Sequence, residues 1–289
     1  MAHPWMYEYI RAGFHGAISE SDVRWFRIGL ALAAILQWAF DLGDGGWHYL
    51  DRDRFVGFRY ARVFTLLPRQ ERTYHVLYCL KLAAAILLLS GYFPQPASGM
   101  LALAWFFELS FNPANQTWLM LSAAVLSTFI GSGERGTFAL DHATLRYEPF
   151  AVLLAVLLYW QMYWASAVRK LRSPEFMEGA VLHRMFEHAW RLQGTTRVRQ
   201  SWYPRWFVST MIEPDHEICK RRWRPFAAAT VATEAAVPIG LAIPALWPYA
   251  LLVGGLMHVI FVAYLPRKIL PFTVATIAGY FLFAATLAV

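Results

Sequence analysis

The sequence predicts an all-α integral membrane protein, a polytopic bundle of about eight transmembrane helices with interfacial amphipathic helices beside it. Of its 289 residues, 58% are hydrophobic and only 16% are charged, whereas a soluble domain carries about 25% charged residues. The hydrophobic residues are concentrated in stretches of about 20, which is the length that crosses a bilayer. Polar connections separate these stretches and leave no room for a large soluble domain. We therefore expect one membrane domain over residues 1–289.

The apolar stretches give the order of the predicted helices. They cover residues 23–43, 73–93, 97–111, 116–132, 148–169, 227–243, 247–264 and 269–288. The third and fourth are short, and Asn112, Pro113 and Asn115 separate them as a tight turn. This pattern favours two helices that tilt or stop short of a full crossing.

The remaining segments are predicted to lie at the membrane surface. Residues 1–22 mix aromatic and polar side chains, which is typical of an interfacial helix. Residues 170–226 form a second amphipathic region. Within it, apolar side chains recur at helical spacing and predict a helix with one apolar face on the membrane: Val181, Leu182, Met185, Phe186, Ala189 and Trp190.

The basic residues predict the orientation of the chain. Lys and Arg are concentrated in the connections 44–72 and 170–226, and the positive-inside rule places such connections in the cytoplasm. Both termini are then outside. Because the basic residues adjoin apolar stretches, they indicate anionic membrane lipids as partners and not nucleic acid.

Polar residues inside the predicted helices indicate a site. A charged group in the bilayer costs about 2.5–3.5 kcal/mol on insertion scales, so many such groups at one membrane face predict a polar cavity. By the alternation of the helices, nine residues fall near the same face: Asp41, Lys81, Glu108, Asn112, Asn115, Gln116, Lys170, Glu234 and His258. Glu234 and His258 share a depth of about 10 Å at the rise of an α-helix, and Lys170 could line one pocket with them.

Structural roles are the alternative for each of these groups. Glu234 and His258 could join helices by hydrogen bonds, and Lys170 could extend its amine to the interface. Lys81 and Glu108 could form a buried ion pair or reach the interface separately. No set of side chains has the spacing of a metal site, so no metal is predicted.

Two groups of residues resemble a known family. Residues 163–171 have the sequence YWASAVRKL, and Glu178 and Gly179 follow them. This segment resembles a motif of the vitamin K-dependent γ-glutamyl carboxylases. Glu234 in the sixth predicted helix and His258 in the seventh are similar to that family's acidic residue and histidine.

Two further segments extend the resemblance to about residues 20–285. The stretch 23–41, with Arg27 early and Asp41 at its end, resembles the family's first span. Residues 138–141, with the sequence FALD, are similar to a turn before its fifth. The wider family is that of the horizontally transferred transmembrane (HTTM) domain of bacteria, so the bacterial inner membrane is the expected location.

The resemblance implies a membrane enzyme with a lysine base. In the carboxylases, the motif lysine deprotonates vitamin K hydroquinone, and oxygen then generates an alkoxide that removes a proton from a peptide glutamate before CO2 adds. The lysine's role would fall on Lys170, in a partly dry pocket that favours the neutral amine, with Glu234 and His258 as the other catalytic residues. The substrate-binding residues would be Asp41, Lys81, Asn115, Gln116 and Tyr163.

Two differences from the family's sequence limit the reactions that are expected. Gln116 occupies the position of a family histidine and cannot titrate as histidine does. The family's soluble region, which binds a protein or peptide substrate, is not found after the last helix. We therefore expect lysine-initiated chemistry on a quinol-like or other lipid-soluble substrate, carboxylase-like, epoxidase-like or quinol-linked, with or without glutamate carboxylation. Quinol, oxygen and CO2 are the expected small molecules.

Two non-enzymatic functions remain as alternatives at this point. The chain could be a partner subunit or a lipid-binding scaffold that keeps the polar residues for packing. A transporter is less favoured, because its site usually lies near the midplane between repeats.

Overall fold

The computed structural model describes residues 20–43, 71–111, 115–130, 149–191, 202–212, 216–264 and 266–287, which are almost entirely helical and contain no strand. The all-α prediction is therefore confirmed for these residues. The α-helices are α1 (Glu20–Gly43), α2 (Glu71–Ser90), α3 (Pro94–Phe111), α4 (Asn115–Phe129), α5 (Pro149–Leu171), α6 (Pro174–Met177), α7 (Ala180–Arg191), α8 (Arg205–Met211), α9 (His216–Leu241), α10 (Trp247–Tyr264) and α11 (Pro266–Leu287). A 3-10 turn, Pro244–Leu246, precedes α10.

Four of the described segments are long and apolar enough to cross a membrane. They are Ser21–Gly43, Glu71–Ser90, Phe150–Leu171 and Pro244–Tyr264. Within α11, the apolar part Ile269–Phe283 is shorter. These helices indicate an integral membrane protein, as the composition predicts.

Each of the eight predicted stretches overlaps a helix, but the bounds differ in places. The sixth was predicted to begin at residue 227, whereas α9 begins at His216. The basic run before residue 227 is therefore helical and continuous with the apolar part. Hydropathy alone marks where a helix becomes apolar, not where its backbone becomes helical. The interfacial helix predicted for residues 1–22 lies mostly outside the described residues, and its last three residues belong to α1.

The described residues divide into two compact units. Unit 1 contains α1 to α4, residues 149–158 of α5 and residues 274–287 of α11. Unit 2 contains residues 159–171 of α5, helices α6 to α10 and residues 266–273 of α11. The prediction of a single domain stays a prediction.

In unit 1, consecutive helices pack on one another from α1 to α4, and α1 also contacts α4. Arg27 is buried and donates hydrogen bonds to the carbonyl oxygens of Ile130 and Ser127 at the end of α4. Carbonyl oxygens in the last turn of a helix have no partner within the helix, and a guanidinium there also meets the negative end of the helix dipole. Gly29 lets α1 approach Ala278 of α11, where any larger residue would clash.

In unit 2, a short turn connects α6 to α7. The Ser173 side chain caps α6 by accepting a hydrogen bond from the backbone of Phe176 at 3.2 Å. Gly179 follows with φ +83° and lies against Trp223 of α9. A side chain at residue 179 would be strained by the left-handed conformation and would also collide with Trp223. The glycine therefore allows the turn after α6 to lie against α9.

Helix α7 confirms the helix predicted from the spacing of the apolar residues between Val181 and Trp190, and protein covers part of its apolar face. Val181 and Leu182 pack against the buried residues of α6 and α9. Phe186 is buried against Trp223 and Val208. Much of the face that was assigned to the membrane is thus covered by protein, because α8 and α9 offer large aromatic and aliphatic surfaces to it.

Candidate functional site

One face of α5 carries the residues of the candidate site in unit 2. Tyr163, Ala167 and Lys170 recur at intervals of four and three residues, which places them on the same side of an α-helix. Tyr163 and Ala167 are buried. Lys170 lies in the last turn of α5, where a cation interacts favourably with the helix dipole. The motif residues therefore extend into the interior of unit 2.

Lys170 forms an ion pair with Glu234 of α9. Its Nζ donates a hydrogen bond to Glu234 Oε1. The Glu234 side chain is only 6% exposed, whereas that of Lys170 is 26% exposed. Two aromatic rings flank the amine, with centroids 5.6 Å (Phe176) and 5.8 Å (Phe261) from Nζ. The pair was predicted as part of one pocket, and the structure brings its two members into direct contact.

The second oxygen of Glu234 has a different environment from the first. Oε2 is buried and accepts no hydrogen bond from any of the described residues. A buried polar group without a partner costs about 1–3 kcal/mol, and such groups are rare in folded proteins. Glu234 thus presents one carboxylate oxygen that is ready to accept a hydrogen bond.

His258 of α10 belongs to a neutral chain of hydrogen bonds. Its Nε2 lies 2.6 Å from the hydroxyl oxygen of Tyr163, and its Nδ1 lies 3.2 Å from Thr273 Oγ1. The chain is satisfied when Tyr163 donates to Nε2 and the Nδ1–H group donates to Thr273. In this arrangement the ring carries one N–H group and is uncharged, and His258 is 2% exposed.

Phe261 connects the ion pair to the histidine. Its ring centroid lies 5.8 Å from Lys170 Nζ and 6.3 Å from the centroid of the His258 ring. Phe261 follows His258 by three residues, so both side chains lie on one face of α10. The predicted grouping of Lys170, Glu234 and His258 in one region of the protein is therefore present in unit 2, with Tyr163 as its fourth polar member.

A separate polar network lies in unit 1. Lys81 of α2 pairs with Glu108 Oε2 of α3, and Gln37 of α1 donates to Glu108 Oε1. The indole nitrogen of Trp105 donates to the Gln37 side-chain oxygen at 2.8 Å. Of the two alternatives for Lys81 and Glu108, the buried ion pair is the one observed. Both oxygens of Glu108 are occupied.

Asp41 lies beside this network. The hydroxyl of Tyr78 donates to Asp41 Oδ2, and the Lys81 amine lies 5.2 Å from the centroid of the Tyr78 ring. The two predicted substrate-binding residues Asp41 and Lys81 therefore share a neighbour. Their role in substrate binding stays a prediction.

Two predicted substrate-binding residues lie at the start of α4. Asn115 is the first residue of this helix, and its side chain lies outside the described part of the structure. Gln116 is half-buried. The prediction that all of these polar residues share one face of the membrane stays a prediction.

Several neighbours of these residues were not predicted from the sequence. In unit 2 these are Phe176, Phe261 and Thr273, and in unit 1 they are Gln37, Tyr78 and Trp105. Phe261 could have been found from its spacing to His258. Phe176 could not, because nothing in the sequence shows that α6 folds back onto Lys170.

Among the described residues, no group of three or more His, Cys, Asp or Glu side chains could hold a metal ion. No family model, curated protein or solved structure matches the chain.

Proposed function

We propose that this protein is a membrane-embedded enzyme that removes a proton from a lipid-soluble hydroxyl compound, with the Lys170–Glu234 pair as its base. The open oxygen of Glu234 is the observation that supports this function. A quinol-like compound is the proposed substrate, by resemblance to the vitamin K-dependent carboxylases and the HTTM family. We also propose that eight helices of this chain cross the membrane. The connections 44–72 and 170–226 then lie in the cytoplasm.

The charges of the pair suit proton transfer inside a membrane protein. Lys170 and Glu234 together carry no net charge, which lowers the cost of keeping them buried. A neutral hydroxyl group that donates to Glu234 Oε2 would satisfy the unpaired oxygen without adding charge. Proton transfer from that group requires no ion to enter or leave the site. An intramembrane pair with one open acceptor is thus suited to general-base work.

The surroundings of the pair suit a lipid-soluble substrate. Lys170 lies at the end of the apolar helix Phe150–Leu171, and Phe261 lies in the apolar segment Pro244–Tyr264. Phe176 and Phe261 supply aromatic faces beside the amine, against which a planar ring can stack. A quinol combines a planar ring with acidic hydroxyl groups.

The proposed reaction is oxidative and stops before carboxylation. A deprotonated hydroquinone is readily oxidised by oxygen, which is the redox half of the family's chemistry. Gln116, in place of the family's histidine, supports the loss of the half that consumes CO2, because its amide cannot carry a proton. Epoxidase-like or quinol-linked oxidoreductase activity is therefore proposed.

The test is the oxidation of a prenylated naphthohydroquinone by the purified protein in lipid nanodiscs, followed under oxygen and under argon. Glu234→Gln should lower the oxygen-dependent rate at least about 100-fold, the usual size of a general-base contribution. Glu175→Gln is the matched control, since Glu175 forms an exposed ion pair with Arg184 in the same unit. A wild-type rate in Glu234→Gln would rule the proposal out.

A further inference from the structure

We infer that Glu234 takes the proton and that Lys170 remains an ammonium, which then holds the oxyanion of the substrate. This inference rests on the proposed function and reverses the role that the family resemblance gives to the lysine. It assigns the accepting atom, Glu234 Oε2, and gives Lys170 a charge-stabilising role.

The environment of Lys170 is that of a cation. The amine has a carboxylate oxygen as its hydrogen-bond acceptor and two aromatic faces within 6 Å, those of Phe176 and Phe261. Carboxylates and aromatic faces both attract an ammonium more strongly than a neutral amine. All three neighbours are therefore groups that bind the protonated amine.

Glu234 has the opposite arrangement. Oε1 is held by Lys170, while Oε2 is buried and has no donor among the described residues. A carboxylate oxygen has lone pairs to accept a proton. The open acceptor of the pair is therefore on Glu234.

The transfer balances without any further reagent. The O–H bond of the substrate breaks, its electron pair stays on the substrate oxygen, and a new O–H bond forms on Glu234 Oε2. Lys170 keeps its three N–H bonds and exchanges its carboxylate partner for the new oxyanion. The site is neutral before and after the step, so no unpaired charge is created in a region of low dielectric.

The same charges select the ligand. A carboxylate ligand would be repelled by Glu234 Oε2, and an ammonium ligand would be repelled by Lys170. Either would also leave the buried site with one net charge. A neutral hydroxyl donor that is acidic enough to ionise beside an ammonium meets neither cost.

Proton transfer to Lys170 and proton transfer to Glu234 give the same products. The two routes differ in the protonation of Glu234 before the substrate binds. If Lys170 were the base, its proton would already lie on Glu234, and the resting protein would contain a protonated carboxyl. If Glu234 is the base, that carboxyl becomes protonated only when the substrate ionises. Infrared spectra distinguish these two cases, because a protonated carboxyl has a carbonyl band that a carboxylate lacks.

The probe is a nitrophenol with a dodecyl chain, added to the protein in nanodiscs at a pH below that at which the free probe ionises. Its phenolate is coloured, so ionisation and the infrared spectrum are recorded together. In wild type, phenolate colour and a new protonated-carboxyl band should appear together and in equal amounts. The band should be absent from Glu234→Gln and unchanged in Glu175→Gln.

Lys170→Arg provides a second and independent measurement. Arginine keeps the positive charge but cannot release a proton in a protein. This variant should still produce the colour and the carboxyl band, and it should retain at least about a tenth of the wild-type quinol oxidation rate, whereas Lys170→Ala should lose about 100-fold. A lysine base would make both variants equally inactive.

Each outcome has a distinct meaning. A carboxyl band that is present before the probe is added, or an inactive and colourless Lys170→Arg, would overturn the inference and leave the proposed function standing. Phenolate colour without any carboxyl band would also overturn it, since the proton would have gone elsewhere. A wild-type protein that neither ionises the probe nor oxidises the quinol would remove the proposed function as well.

Discussion

The described residues contain two Lys–Glu ion pairs between helices, and they differ in burial and in how many carboxylate oxygens are hydrogen-bonded. In unit 1, Lys81 is 2% exposed, and Gln37 and Lys81 occupy both oxygens of Glu108. In unit 2, Lys170 is 26% exposed and Glu234 keeps one oxygen open. The same two residue types thus form a closed network in one unit and an open one in the other. A carboxylate oxygen without a donor can accept a hydrogen bond from a bound molecule. A network in which every group is hydrogen-bonded specifies which helices pack together.

The first prediction tests the closed pair, where the largest loss of stability is expected. Lys81→Ala leaves Glu108 as an uncompensated buried charge, so we expect a loss of about 3–5 kcal/mol. Lys170→Ala should lose less, about 1–3 kcal/mol, because the Lys170 side chain is 26% exposed and water can reach the space that it leaves. Unfolding in detergent, followed by tryptophan fluorescence, measures both.

Controls for this prediction come from the same chain. Arg184→Ala removes one partner of an exposed pair and should change stability by less than about 1 kcal/mol. The double variant Lys81→Met with Glu108→Gln should recover most of the lost stability, since it removes the charges and keeps an acceptor for Gln37. Lys170→Met with Glu234→Gln should fold but have no activity. Equal losses for Lys81→Ala and Lys170→Ala would show that openness does not distinguish the two pairs.

The sequence predicts the helices better than it predicts these ion pairs. The reason is that a helix depends on neighbouring residues, whereas an ion pair joins residues that are far apart in the sequence. A bilayer dictates how long an apolar helix must be, so α1, α2, α5 and α10 can be recognised from local composition. Which polar residues meet is decided by helix packing. Lys170 and Glu234 are 64 positions apart, and no local pattern joins them. Their positions in the predicted helices and the family resemblance both indicated these two residues and one common pocket, but not their direct contact.

Other features depended on contacts that no local pattern records. The sequence cannot show that Gln37 donates a hydrogen bond to Glu108, since α1 and α3 meet only in the folded unit. It also cannot show that α7 packs on Trp223, because an apolar face looks the same whether lipid or protein covers it. The open oxygen of Glu234 is visible only after every neighbour has been placed.

The second prediction tests whether the hydrogen bonds of Gln37 stabilise unit 1. Gln37→Leu removes the donor to Glu108 Oε1 and the acceptor of the Trp105 indole. We expect a loss of about 1–3 kcal/mol, the cost of leaving buried polar groups unpaired. Gln161→Leu is the matched control, since Gln161 is exposed on α5. If both variants were equally stable, the glutamine would not be part of what holds unit 1 together.

The smallest effect is expected for Thr273→Val, which tests the neutral chain beside the open pair. The change keeps the shape of the side chain and removes the hydrogen bond of Thr273 Oγ1 to His258 Nδ1. Interhelical hydrogen bonds in membrane proteins average about 0.6 kcal/mol, so stability should fall by about that amount, and the 2.6 Å contact of Tyr163 with His258 should persist. Thr128→Val, which removes a bond within its own helix, is the control. Because an uncharged ring depends little on any one partner, a loss of several kcal/mol would mean that Thr273 helps to hold a charged imidazole. Unit 2 would then contain a buried charge besides the ion pair, and the site would no longer be neutral, as the proposed proton transfer to Glu234 requires.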